Sequence, residues 1–170
     1  DPVDAIAMKP WRILPLAQAP ELADTLADWH HAQWGELMAP WTHAEALAEL
    51  RAHAAGGDCP TTLVALGDDD RLLGSVSLVL EDAPELKDIG PWLASLYVRP
   101  QARGQGIGAA LVHALVAHSA RVAGIETLYL FTHDQTRWYQ SLGWQLHARL
   151  RVSLHEVDVL TINVKKRAQT

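Results

Sequence analysis

Between Arg99 and Ala109 the chain reads RPQARGQGIGA, with Gly104, Gly106 and Gly108 at alternate positions and Arg99 and Arg103 close by. Residues of these types at this spacing suit one kind of chemistry, the binding of an anion. The first N–H groups of a helix have no intrahelical partner, and the helix dipole places partial positive charge at that end. Glycines remove the Cβ atoms that would hold a diphosphate away from those N–H groups. No Asp or Glu occurs between Ile89 and Ile125, whereas Arg99, Arg103 and Arg121 do, in a chain of net charge -6. That local absence of acid favours an anionic ligand over a merely solvated helix.

Such a loop works only if a strand and a helix hold it. Trp92 to Val98 is a run rich in aliphatic and aromatic residues, ended by Pro100, and predicts the strand. After the loop, Ile107, Leu111, Ala114, Leu115 and Val122 recur at helical spacing, so one stripe packs on a sheet and fixes where the helix N-terminus points.

These residues carry a resemblance. Arg103-x-x-Gly106-x-Gly108, preceded by Leu96-Tyr97-Val98-x-Pro100, resembles the acyl-coenzyme A loop of the GNAT (general-control-type N-acetyltransferase) superfamily. Downstream, Trp138-Tyr139-Gln140-Ser141-Leu142-Gly143-Trp144 is similar to that family's aromatic-Tyr-x-x-Leu-Gly-aromatic segment. The two lie one helix and one strand apart, as in the family; the likeness is good from Thr61 to Val152 and poor over the first sixty residues.

The resemblance implies acetyl-coenzyme A as co-substrate. Backbone N–H groups of Gly104, Gln105, Gly106, Ile107, Gly108 and Ala109, with Arg103, would hold the diphosphate. The backbone of Leu96, Tyr97 and Val98 would face the acyl arm, with the Val98 N–H as oxyanion donor. Tyr139 would be the general acid that protonates the departing thiolate, a transfer that is sensible only when coupled to C–S cleavage. His133 stands where the family often has an asparagine binding the cofactor arm, and imidazole can also donate or accept. Many relatives carry a glutamate on the central strand; here Trp92-Leu93-Ala94-Ser95 has no ionisable group, and no base is assigned. Glu81 and Asp88 are loop acids from which a water chain could run.

The acceptor wall in the family comes from the first helices and late strands, which points to Trp29, His30, Trp34 and Trp41. Glu81, Asp82, Glu85 and Asp88 would form an acidic entrance favouring a cationic amine. The acceptor is thus a small-molecule or peptide amine, and the protein a monomer or homodimer.

Composition narrows the classes. A chain of 170 residues, 49% hydrophobic and 20% charged, is long enough for one core. A single cysteine, Cys59, forms no internal disulfide, in keeping with a reducing cytoplasm. No apolar run reaches membrane-span length, the opening Asp-Pro-Val-Asp is not a secretory signal, and no basic stripe suits nucleic acid. The expectation is a cytoplasmic protein with neither membrane nor nucleic-acid partners. Its nine histidines form no convincing metal set: His113 and His118 are off the one-turn spacing of helical ligands.

In chain order, residues 1–10 read as a tail, with Met8 a candidate natural start, and residues 11–170 as one domain. Trp11 to Leu16 predicts a strand and Pro20 to Met38 a helix broken by Pro40. Thr42 with Glu45 is a capping-box pattern opening a helix through His53. Thr61 to Leu66 and Leu72 to Leu80 are strands around the polar turn at Gly67 to Asp70. After the central strand and helix, the latter stopped by Gly124, come a strand from Thr127 to Thr132 and a short helix from Thr136 to Leu142. Strands near Trp144 to Leu154 and Val157 to Val164 follow. The order β-α-α-β-β-β-α-β-α-β-β is the GNAT order and implies a mixed α/β fold with a mostly antiparallel sheet flanked by helices.

Two other readings compete. Gly104-x-Gly106-x-x-Ala109 with Asp134 also fits a dinucleotide fingerprint, although a Rossmann glycine turns directly off its strand and here five residues intervene after Val98. The other is an acyl-coenzyme A sensor or scaffold that keeps the fold without turnover.

Overall fold

The computed structural model describes residues 10–165. The expected tail, apart from Pro10, and the candidate start at Met8 lie outside them. The elements are β1 (Arg12–Pro15), α1 (Ala23–Trp34), α2 (His43–His53), β2 (Thr61–Leu66), β3 (Leu72–Val79), β4 (Trp92–Val98), α3 (Ile107–Ala120), β5 (Thr127–Thr132), α4 (Thr136–Ser141), β6 (Gln145–Val152) and β7 (His155–Asn163). They form a seven-stranded sheet in the order β1-β2-β3-β4-β5-β7-β6. Every pair is antiparallel except β4 with β5.

The central strands are apolar on both faces because helices cover both. On one face Leu111 and Leu115 of α3 pack on Leu63, Ala65, Val76 and Leu78. On the other, Leu26 and Ala27 of α1 and Leu50 of α2 pack on Val64, Leu66 and Leu72. Thr42 caps α2 as its sequence implies, the Glu45 N–H donating to Thr42 Oγ1 at 3.1 Å, while the Glu45 carboxylate accepts from the Thr42 hydroxyl at 3.1 Å.

Two helices are shorter than their sequences suggest. Instead of one helix from Pro20 to Met38, a 3₁₀ turn at Pro20–Leu22 precedes α1, which ends at Trp34. The residues up to Pro40 make turns, since proline lacks an N–H and disfavours helical backbone before it. α3 ends at Ala120, short of Gly124. There the Ser119 hydroxyl donates to the Leu115 carbonyl at 2.8 Å, and the Arg121 and Val122 N–H groups bond three residues back, tightening and ending the helix.

The feature that makes a site is the junction of β4 with β5. The parallel pair has a single register contact, Trp92 with Tyr129, and beyond it the strands diverge. A bulge in β4 accompanies the divergence: Ser77 pairs with Ala94 and Ser75 with Tyr97, so Ser95 and Leu96 oppose Val76 alone. Ser95 takes φ +57°, and such an extra residue bends a strand and raises its twist.

Gly74 sets how closely α3 and β4 approach. A Cβ there would lie 2.5 Å from the Tyr97 carbonyl oxygen and 3.3 Å from Leu111 Cδ1. Overpacking of this kind costs about 1–3 kcal/mol. Gly74→Ala should therefore lower the calorimetric melting temperature by roughly 3–10 °C, and an unchanged melting temperature would show that the strand pair absorbs the methyl freely.

Candidate active site

The glycine loop adopts the conformation its residues permit. Gly104 and Gly106 have φ +79° and +87°, in the left-handed region that favours glycine. Gly106 is the N-cap of α3 and supplies no side-chain cap, and no acid lies in the first turn. The first intrahelical bond runs from the Ala110 N–H to the Gly106 carbonyl at 3.1 Å. The N–H groups of Ile107, Gly108 and Ala109 therefore precede the intrahelical ladder. The Ile107 side chain is core, 1% exposed, so what it offers a ligand is its backbone alone. Gln105 is exposed. Arg103 ties the loop to β4: its Nε donates to the Val98 carbonyl at 2.8 Å and its guanidinium lies 5.6 Å from the Tyr97 ring centre.

Along β4 the Arg99 N–H donates to the Leu73 carbonyl of β3 at 2.8 Å. Strand geometry alternates, so the Val98 N–H and C=O face the opposite edge, into the space between β4 and β5. The side chains of Leu96 and Val98 pack with the α3 cluster. The Tyr97 ring lies on the other face, 5.5 Å from Trp29 and 6.2 Å from Trp34 between ring centres.

A cleft of about 1040 Å³ opens at this divergence. Its walls include Leu93–Leu96 of β4, Leu130–Asp134 at the end of β5, Tyr139, Trp34 and Trp41. Six acids line it, Glu45, Glu49, Glu81, Asp82, Glu85 and Asp134, and no Lys or Arg does. Of the expected acidic entrance, Glu81, Asp82 and Glu85 take part and Asp88 does not. Asp82, facing Glu49 and withdrawn from water, has its carboxyl pushed up to about 7. Burial raises Glu49 as well, against a hydrogen bond from Trp41 Nε1 at 3.0 Å.

Tyr139 sits at the other end, on α4. Its ring is buried against Trp138 and Trp144, with ring centres 4.9 Å and 6.1 Å away. Burial holds the phenol up at about 12, so it is protonated throughout the physiological range. His133 is exposed in the same cleft, its ring edge-on to His155 at 5.5 Å and to Phe131 at 6.4 Å.

Two histidines are buried beneath the α1 and α2 face of the sheet. His30 bonds Ser75 Oγ at 3.1 Å, and burial together with the nearby His53 lowers its pKa to about 4. Neither His30 nor Trp29 lines the cleft, so of the expected acceptor wall only Trp34 and Trp41 belong to it. His53 Nδ1 lies 2.8 Å from Thr62 Oγ1, which lies 2.8 Å from Ser77 Oγ, and both His53 and Ser77 line the cleft. The sequence reading passed over this chain, because a lone His, Thr and Ser on three elements form no motif.

A diverging sheet with a glycine loop capping the central helix belongs to a class of mixed α/β proteins, not to the doubly wound parallel folds of dinucleotide enzymes. One parallel pair in seven strands removes the Rossmann reading. The model of the acetyltransferase (GNAT) family matches residues 24–144. The chain belongs to that family and is an acetyltransferase.

Solved structures agree on the fold. An acetyltransferase of the GNAT family from Streptococcus pneumoniae is 15% identical with a TM-score of 0.67, covering 90% of this chain and 99% of its own. Spermidine N-acetyltransferase from Vibrio cholerae in complex with CoA and spermine is 13% identical with a TM-score of 0.68, covering 95% and 99%. The structure of yncA from Salmonella typhimurium with its cofactor acetyl-CoA is 17% identical with a TM-score of 0.68, covering 92% and 95%. A comparison with curated proteins finds no match. Among the described residues, no three His, Cys, Asp or Glu are grouped to hold a metal ion, and no helix is long and apolar enough to cross a membrane.

Proposed function

We propose that the protein transfers the acetyl group of acetyl-CoA to a primary amine that is cationic in solution, by direct attack within a ternary complex. The observation that carries the reading is the single cleft in which the β4 backbone, Tyr139 and an all-acidic set of charged side chains meet. The diphosphate would lie on the N–H groups from Gly104 to Ala109 beside Arg103, and the pantetheine arm along Leu96, Tyr97 and Val98, with His133 near its path. The thioester oxygen would take its hydrogen bond from the Val98 N–H, which strengthens as negative charge develops there. The amine nitrogen forms its bond to the carbonyl carbon, the C–S bond breaks, and Tyr139 gives its proton to the leaving sulfur.

Taking the thiol at its reference value near 8.5, a phenol at about 12 makes that last transfer uphill by about 5 kcal/mol. The same buried surroundings raise the thiolate's proton affinity and close the gap. The acidic wall supports a cationic acceptor, and the likeness to a spermidine N-acetyltransferase fits a small amine of that kind.

The test is acetyl-CoA consumption with spermidine, tyramine and a lysine-containing peptide, followed against pH. Asp82 is neutral below its raised pKa of about 7 and charged above it. The KM for a cationic acceptor should fall by roughly threefold to tenfold between pH 6 and pH 8, and Asp82→Asn should flatten that change. No turnover of any amine sinks the proposal; a pH-independent KM removes the acidic wall from it.

A further inference from the structure

A neutral acceptor amine that attacks a thioester carries an excess proton on nitrogen once the N–C bond begins to form. Since β4 offers no carboxylate, the route for that proton must start elsewhere in the cleft wall. Ser77 pairs with Ala94 directly beside the β4 bulge, 3% exposed, with its hydroxyl toward the α1 and α2 face. Behind it lie Thr62 on the adjacent strand and His53 at the end of α2, joined by two contacts of 2.8 Å. All three are buried; Ser77 and His53, the two ends of the chain, both line the cleft, and Thr62 joins them behind its wall.

We infer that Ser77, Thr62 and His53 form a relay that takes the proton from the acceptor nitrogen during acyl transfer, with His53 Nδ1 as its terminus. The inference rests on the proposed acetyl transfer. The nitrogen's proton passes to Ser77 Oγ as Ser77 passes its own to Thr62 Oγ1 and Thr62 passes its own to His53 Nδ1. His53 ends with one proton more, Tyr139 with one fewer, and solvent exchange restores both. The direction requires the His53 tautomer with Nε2–H, so that Thr62 donates to Nδ1 and Ser77 donates to Thr62. The relay then requires the remaining lone pair of Ser77 Oγ to be open to the cleft that Ser77 lines.

The groups near His53 suit the role. Burial lowers its pKa below the ordinary value, so it waits neutral at pH 7. His30 on α1 stands close enough for the two imidazoles to repel as cations, while Glu49, one turn back on α2, and Asp82, which faces Glu49, line the same cleft as His53.

His30 and Ser75 provide an internal control: another buried histidine bonded to a strand hydroxyl on the same face, but without access to the cleft. With spermidine or tyramine as acceptor, whichever the wild type turns over faster, His53→Gln and Thr62→Val should each lower kcat by about 10²-fold at pH 7.5. Their double variant should be no slower than either single one. The wild-type kcat should fall at low pH as His53 gains a proton in advance; His53→Gln should lose that limb and His30→Gln should keep it. Nitrogen-15 spectra of the wild type should show His53 neutral and protonated on Nε2.

A His53 protonated on Nδ1 at neutral pH overturns the relay. So does a wild type that turns over the amine while His53→Gln keeps its kcat and its acid limb. Failure of the acetyl-transfer reading is distinct: the wild type itself turns over neither amine, and the relay falls with the reaction it serves.

Discussion

Gly106→Glu should abolish acetyl-CoA binding in a calorimetric titration in which the wild type is expected to bind in the micromolar range. Two effects add. At φ +87° a side chain is strained by about 1–2 kcal/mol, which is felt in the fold as much as in the site. The larger effect is electrostatic: a carboxylate at the helix N-terminus occupies the N–H groups and repels the diphosphate. Two like charges about 4 Å apart near a protein surface cost about 4 kcal/mol, close to a thousandfold in affinity. Gly106→Ala separates the two contributions. Its methyl would meet only Trp11 Cη2, at 3.9 Å, so it keeps the strain without the charge and should weaken binding by no more than about tenfold. Undiminished binding by Gly106→Glu would remove the loop from the site. NADH titrated alongside should give no heat in either protein, since the sheet is not of the dinucleotide-binding kind.

Tyr139→Phe is expected to have the second large effect, one that falls on turnover alone. The ring that packs on Trp138 and Trp144 is retained, so melting temperature and acetyl-CoA affinity should stay close to wild type. In the proposed mechanism the proton for the leaving thiolate is then lost, and kcat should drop by about 10²- to 10⁴-fold, the range typical of general acids. The pH dependence carries a sign. A phenol raised to about 12 stays protonated as pH climbs through 9 and 10, so no alkaline loss of rate from Tyr139 should appear there. A Tyr139→Phe variant with wild-type kcat would make Tyr139 a packing residue and leave the thiolate to depart unassisted.

The parts of the site legible in the sequence are those whose physics is local. Gly104 and Gly106 announce a left-handed loop, the apolar stripe of Ile107, Leu111 and Leu115 announces the helix behind it, and Thr42 with Glu45 announces the start of α2. In each case the residues that cause the structure lie within a turn or two of one another. The boundaries that differed did so for local reasons of smaller size: the turns before Pro40, and the back-bonding of Ser119 that ends α3 ahead of Gly124.

The order of elements, the glycine loop that opens α3 and the tyrosine segment one strand later can all be read along the chain. Which distant side chains meet depends on packing. The divergence of β4 from β5 depends on a bulge opposite Val76, and nothing in Ser95 alone spells a left-handed residue. Asp82 is displaced from the ordinary carboxylate range because the fold withdraws it from water opposite Glu49 on another element. His30 and His53 look alike as histidines on helices, yet one ends at a closed strand hydroxyl and the other at a hydroxyl in the cleft wall. Hydrogen bonds between side chains on separate elements have no sequence period, and burial, which sets both charge state and cost, is a property of the packed chain.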